Sequence, residues 1–196
     1  MNVFARSGIR HGDTVAIVGI GFLGALVTSL AVDAGATVIA VARRPFALEM
    51  ARRMGAQHTI ALDDHWRIVD EVKQLTGGEG VAIAVEAVGM QWPLDLAGDL
   101  VRVRGRLVVA GYHQDGLRQV NMQSWNWRGI DVINAHERED QVYVDGMCRA
   151  VAAVAAGALD PDTLYTHTVP LDQAAEAFKL LEERPDGFFK ALVQCG

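Results

Sequence analysis

Along the first 110 or so residues, short β-rich apolar runs alternate with helix-like stretches, the pattern of a parallel sheet covered by helices. Thr14–Val18 reads as a strand buried on both faces, because its apolar character is unbroken rather than alternating. Phe22–Ala34 reads as a helix closed by Gly35, and Thr37–Ala42 as the second strand. Pro45 stands where a first helical turn tolerates it, and Gly55 where a helix would stop. A short third strand is expected at Thr59–Leu62, then a helix from about His65 to Leu75 and a break at Gly77 and Gly78. Val81–Val88 reads as the fourth strand, followed by a helix to about Val103 and a fifth strand at Arg106–Ala110.

After Gly111 the rhythm changes. Tyr112 to Trp127 is polar and aromatic without helical periodicity and reads as a long excursion. Ile130–Asn134 reads as a sixth strand. Beyond it come a charged helix from about Glu139 to Ala156, an extended piece at Leu164–Val169, a helix from Leu171 to Glu183 and a last strand at Phe188–Val193. The expected organisation is therefore a sheet domain over residues 1–134 and a helix/strand tail over 135–196. Repeats and low-complexity segments are absent.

Composition narrows the partners. With 51% apolar residues in 196, the chain can bury a sizeable core. A net charge of −6, with arginines scattered among carboxylates, excludes the basic stripe of a nucleic-acid binder. Two distant cysteines are too few for a disulfide framework or a cysteine-rich zinc site and fit a reducing cytoplasmic setting. Val15 to Val32 runs about eighteen residues without a charge, long enough to test against a membrane helix. The cluster Gly19, Gly21 and Gly24, with Asp33 and Gly35 closing the run, favours a strand, a glycine turn and a buried helix. Met1 to Arg10 has no apolar core of a signal peptide.

The chemistry lies in Gly19-Ile-Gly-Phe-Leu-Gly24, a G-x-G-x-x-G run. Alone the pattern is weak; here it follows an apolar strand and opens a helix inside a βαβ unit of about thirty residues. Gly19 permits the tight turn, Gly21 lets a pyrophosphate approach the backbone, and Gly24 lets the helix pack closely. Ile20, Phe22 and Leu23 lie within the same turn. A pyrophosphate there meets the unpaired N–H groups and positive dipole end of the helix. The alternative is a glycine-rich turn in a binding-silent α/β protein. The second strand ends Ala42-Arg43-Arg44 with no carboxylate in reach. An acid there would hold the ribose hydroxyls of NAD, whereas two guanidinium groups suit a 2′-phosphate. NADP(H) is therefore preferred to NAD(H), unless both arginines are merely solvated.

Several runs then carry a family resemblance. Gly12-Asp-Thr-Val-Ala-Ile-Val-Gly-Ile-Gly-Phe-Leu-Gly24, Ala51-Arg-Arg-Met-Gly-Ala56, Glu86-Ala-Val-Gly89, Gly105-Arg-Leu-Val-Val-Ala-Gly111, Tyr165-Thr-His-Thr-Val-Pro170 and Phe189-Lys-Ala-Leu-Val193 follow in order. Together they resemble the medium-chain dehydrogenase/reductase superfamily, and within it the zinc-type alcohol dehydrogenases. The resemblance implies an α/β fold, a Rossmann-type doubly wound parallel sheet of about six strands with a C-terminal helix/strand tail. It implies that Ala87 and Val88 flank the adenosine ribose and the nicotinamide side. It also implies that Ala110, Gly111 and Tyr112 lie along the nicotinamide, that Ile133 and Asn134 meet its amide, and that Lys190 approaches the pyrophosphate. Ordinary core packing is the alternative for Ala87 and Val88.

The family's catalytic zinc belongs to a separate N-terminal, mostly β domain, and no such segment is present here. The expected function is the NAD(P)-binding portion of an alcohol dehydrogenase-like oxidoreductase acting on an alcohol or carbonyl substrate, inactive alone. The alternative is a dinucleotide-binding module, a redox sensor or one subunit of a split enzyme. No catalytic or metal-binding residue is assigned. Among six histidines, His113 and His136, with Glu137 beside His136, fall near the nicotinamide edge but lack a cysteine or histidine partner at short spacing for a metal. His167 is expected to be structural and Cys148 a small core residue. Met122, Trp125 and Trp127 fit a homodimer interface, a pocket lining or local core.

Overall fold

The computed structural model describes all 196 residues. Six parallel strands form one sheet: β1 (Thr14–Val18), β2 (Thr37–Ala42), β3 (His58–Ala61), β4 (Val81–Glu86), β5 (Val101–Val109) and β6 (Asp131–Asn134). Their spatial order is β3-β2-β1-β4-β5-β6. Every neighbouring pair is parallel, so each connection crosses over the sheet. The chain reverses direction across the sheet between β1 and β4, the switch point where open α/β sheets leave a crevice at the strand ends.

Period-two alternation divides the core into two layers. Val15 and Ile17 of β1, Val38 and Ala40 of β2, and Ile83 and Val85 of β4 join one buried cluster. On that face lie α2 (Phe22–Asp33) and α3 (Pro45–Arg53). Ala16 and Val18, Ile39 and Val41, and Ala84 join the other. It is covered by α4 (His65–Leu75) and α5 (Gln91–Leu100). The long uncharged run is thus a strand, a turn and a helix, and no helix is long and apolar enough to cross a membrane.

Several boundaries differ from the sequence reading. α5 stops at Leu100 and β5 begins at once with Val101, well before Arg106. The early part of β5 is irregular: Arg104 adopts φ 57°, and the register moves from Val81 opposite Val101 to Ile83 opposite Arg106. Gly105 is required there, since a Cβ would stand 2.8 Å from the Ala82 carbonyl oxygen. A second helix escaped periodicity because it is too short to show any: α6 (Met122–Arg128), started by the Asn121 side chain accepting from the Ser124 N–H and ended by Gly129 at φ 59°. A first helix, α1 (Asn2–Ser7), likewise precedes the sheet.

The tail comprises α7 (Asp140–Ala155), α8 (Ala174–Glu183) and a parallel pair, β7 (Tyr165–Pro170) and β8 (Lys190–Gln194). It is anchored to the first core layer through Leu164 and Phe189. Cys148 is not a core residue: it is exposed on α7, a helix whose only buried position is Gly146. Trp125 is local core, whereas Met122 and Trp127 are exposed.

Candidate cofactor-binding site

The carboxyl ends of β1, β4, β5 and β6 are knitted by backbone hydrogen bonds beyond the strands themselves. The Gly19 N–H donates to the Val41 carbonyl, Ala87 N–H to Val18, Ala110 and Gly111 N–H both to Glu86, and Ala135 N–H to Val109, all within 2.8–2.9 Å. The predicted contact residues are thereby brought to one edge.

Each glycine of the turn has its own geometric reason. Gly19 adopts φ 100°, and a Cβ on it would meet Val88 Cγ2 at 2.4 Å. A Cβ on Gly24 would stand 2.0 Å from the Gly19 carbonyl oxygen, so α2 could not sit as close to the turn with any side chain there. Gly21 differs: nothing lies within 4 Å of where its Cβ would be. The space beside it is open. Gly21 is also the N-cap of α2, and no side chain caps that helix, which leaves its first N–H groups free for an anion. Ile20 is buried in the core, Phe22 is half-buried and Leu23 is exposed.

Lys190, at the start of β8, places its ammonium 5.5 Å from the centroid of the Phe22 ring. Since Phe22 is the first residue of α2, a cation from the tail stands beside the uncapped helix end. Tyr165 packs on the other partner of this contact, its ring centroid 5.7 Å from that of Phe22.

At the end of β2, Arg43 is exposed and Arg44 half-buried. Arg44 donates through Nη1 to the Phe188 carbonyl oxygen at 2.8 Å. Burial pushes its guanidinium pKa down, the nearby Arg184 and Arg43 add to this, and Asp186 opposes it. Arg184 is a third guanidinium that sequence reasoning missed; it arrives from the tail, far away in the chain, in a left-handed conformation at φ 46°.

Ala87 and Val88 lie just past β4 rather than within it. The chain turns because Glu86, fully buried, accepts from the N–H groups of Val88 and Gly89 at 2.7 Å each. Ala110, Gly111 and Tyr112 likewise follow the last residue of β5. Ile133 is half-buried and Asn134 exposed at the end of β6. His113 contacts Glu86 at 3.0 Å, and the His136 ring lies 6.0 Å from that of Tyr112. His167 hydrogen-bonds Thr166 and packs on Phe188. No group of three or more histidine, cysteine, aspartate or glutamate side chains is placed to hold a metal ion, so the chain's residues do not fit a zinc site.

The chain is similar to known dehydrogenases in both sequence and fold. Residues 23–153 match the model of a family described as zinc-binding dehydrogenase. An alcohol dehydrogenase of Cupriavidus necator is 30% identical over 193 residues, covering 96% of this chain and 51% of that protein. Sorbitol dehydrogenase of Bacillus subtilis is 28% identical over 190 residues, covering 96% and 52%. Among solved structures, an alcohol dehydrogenase from Thermus sp. ATN1 superposes with a TM-score of 0.86 at 27% identity, covering 98% of this chain and 55% of that one. A putative zinc-binding dehydrogenase from Sinorhizobium meliloti, bound to NADP, superposes at 0.83 with 27% identity, covering 99% and 56%. The chain spans about half the length of the curated relatives it matches. It belongs to the zinc-binding dehydrogenase family of the medium-chain dehydrogenase/reductase superfamily, and corresponds to the C-terminal, cofactor-binding part of its alcohol dehydrogenases.

Proposed function

We propose that this chain binds NADP(H), in preference to NAD(H), along the carboxyl edge of its sheet, as the cofactor-binding portion of an alcohol dehydrogenase-like oxidoreductase. The observation that carries the reading is the open space at Gly21 beside an uncapped helix N-terminus at the switch point of the sheet. The nicotinamide, when bound, supplies the hydride donor or acceptor for an alcohol or carbonyl carbon. The protein's part is positioning. The turn Gly19–Gly24 and Lys190 hold the pyrophosphate, and Arg43, Arg44 and Arg184 surround the 2′-phosphate. Ala87 and Val88 flank the adenosine ribose and the nicotinamide side, and Ala110, Gly111, Tyr112, Ile133 and Asn134 line the nicotinamide half. No step is assigned to zinc here, because no ligand cluster for it is present. The exposed Met122 and Trp127 beside the edge strand β6 suit contact with a second copy.

Titration of the purified chain with NADPH and NADH, followed by nicotinamide fluorescence, tests this. Saturable binding of both, tighter for NADPH, is expected. Binding of neither refutes the reading, and equal affinities refute the preference. A chain that binds but turns over no alcohol is a binding module as it stands.

A further inference from the structure

We infer that Glu86, His113 and Arg118 form a clamp of fixed hydrogen-bond polarity that positions the nicotinamide half of the cofactor while leaving the adenosine half untouched; this rests on the dinucleotide reading above. Glu86 is a fully buried carboxylate at the end of a parallel strand, a costly placement unless its oxygens are satisfied. They are. Oε1 accepts from the Val88 and Gly89 N–H groups at 2.7 Å each, and Oε2 lies 3.0 Å from His113 Nε2.

The direction of each bond follows from what arginine can do. Arg118 Nε lies 2.9 Å from His113 Nδ1, and a guanidinium only donates. His113 Nδ1 must therefore accept, its proton sits on Nε2, and that N–H points into Glu86 Oε2. The imidazole is held as one neutral tautomer. Arg118 also donates through Nη2 to the Gly89 carbonyl oxygen at 2.9 Å and pairs with Asp115. The same three side chains thus grip the turn after β4 and the turn after β5.

Backbone packing leaves this clamp no slack. A Cβ on Gly89 would meet the Tyr112 carbonyl oxygen at 2.7 Å, and one on Gly111 would meet the Gly89 nitrogen at 2.2 Å and Glu86 Oε2 at 2.6 Å. Ala110–Tyr112, assigned to the nicotinamide, and Val88, assigned to it in part, sit on these two turns. The pyrophosphate turn and the arginines at the end of β2 make no hydrogen bond to the clamp. Its members are positioning residues.

The test compares NADPH with 2′-phospho-ADP-ribose, which lacks only the nicotinamide ring, by calorimetry on the full chain. In Glu86→Gln the amide oxygen keeps the two N–H groups, but the amide nitrogen faces His113 and forces its proton onto Nδ1, against Arg118. NADPH affinity should fall about tenfold, with 2′-phospho-ADP-ribose changed less than about twofold. His113→Gln retains one donor towards Glu86 and one acceptor for Arg118, and should keep NADPH affinity within about twofold, whereas His113→Ala loses about tenfold. That pair decides the matter even if the Glu86 variant fails to fold. Nitrogen-15 spectra should place the His113 proton on Nε2. Equal losses for both ligands, no loss in His113→Ala, or a proton on Nδ1 overturns the clamp. A wild-type chain that binds neither ligand refutes the dinucleotide reading instead.

Discussion

The Arg44 guanidinium reaches across the molecule to the Phe188 carbonyl oxygen, 2.8 Å away, and so ties the end of β2 to the residues that open β8. One of its donor groups is committed to this structural bond, while Arg43 beside it is exposed. The two arginines therefore have different work.

Arg43→Ala should weaken NADPH binding about tenfold and leave NADH nearly unchanged, since only NADPH carries the 2′-phosphate. Arg44→Ala should in addition lower stability by about 1.5 kcal/mol through the lost charge-assisted bond to Phe188. Arg184→Ala should give a smaller loss, confined to NADPH and fading at high salt. Nicotinamide fluorescence at low and high ionic strength, with chemical denaturation alongside, checks all three. Equal effects on both cofactors would remove the 2′-phosphate role.

Lys190→Met should weaken NADPH and NADH by the same factor, about fivefold at low salt, because the pyrophosphate is common to both. The ammonium stands over Phe22 at the first turn of α2. A change that discriminates between the two cofactors, or that is independent of salt, would place Lys190 elsewhere.

The glycines of the turn separate packing from binding. Gly24→Ala should destabilise the fold by about 1–3 kcal/mol, as its Cβ collides with the Gly19 carbonyl oxygen. The melting temperature should drop by about 2–4 °C for each kcal/mol. Gly21→Ala meets no atom within 4 Å and has an ordinary φ of −95°, so its melting temperature should stay put while both dinucleotides bind more weakly. Unimpaired binding by Gly21→Ala would argue that the open space is not a cradle.

Acid should loosen two exposed ion pairs. The hydrogen bond from Arg67 holds the Asp63 carboxyl below its ordinary value of 3.8, and that from Arg118 does the same for Asp115. Below pH 3.8 the unfolded chain binds protons that the folded chain still refuses. Stability therefore falls as pH drops towards the depressed folded values, and the contribution is fully present above 3.8. Asp63→Asn and Asp115→Asn should each flatten the acid limb of a stability–pH curve. An unchanged slope in the double variant would show that these pairs do not differ between folded and unfolded chains.

The parallel sheet was legible because β1, β2 and β4 are apolar on both faces and separated by helices with glycine or proline at their ends. Boundaries governed by a single contact were not. Val88 reads as strand until Glu86 turns the chain by capturing two N–H groups, and Val101 reads as helix until its pairing with Val81 is seen. Cys148 and its helix look half-apolar in sequence, yet little of this chain packs against them.

Local sequence thus determined most of the elements, the glycine turn and the chemical character of Arg43 and Arg44, because strand burial, turn sterics and helix ends act over a few residues. Tertiary structure decided which distant groups meet. Lys190 and Arg184 arrive from the tail at sites built by the first two strands. His113 and Arg118 close over Glu86 from a segment with no periodicity to announce it. A side chain's partner across the sheet depends on strand order and register, and neither is written in the pattern of any single segment.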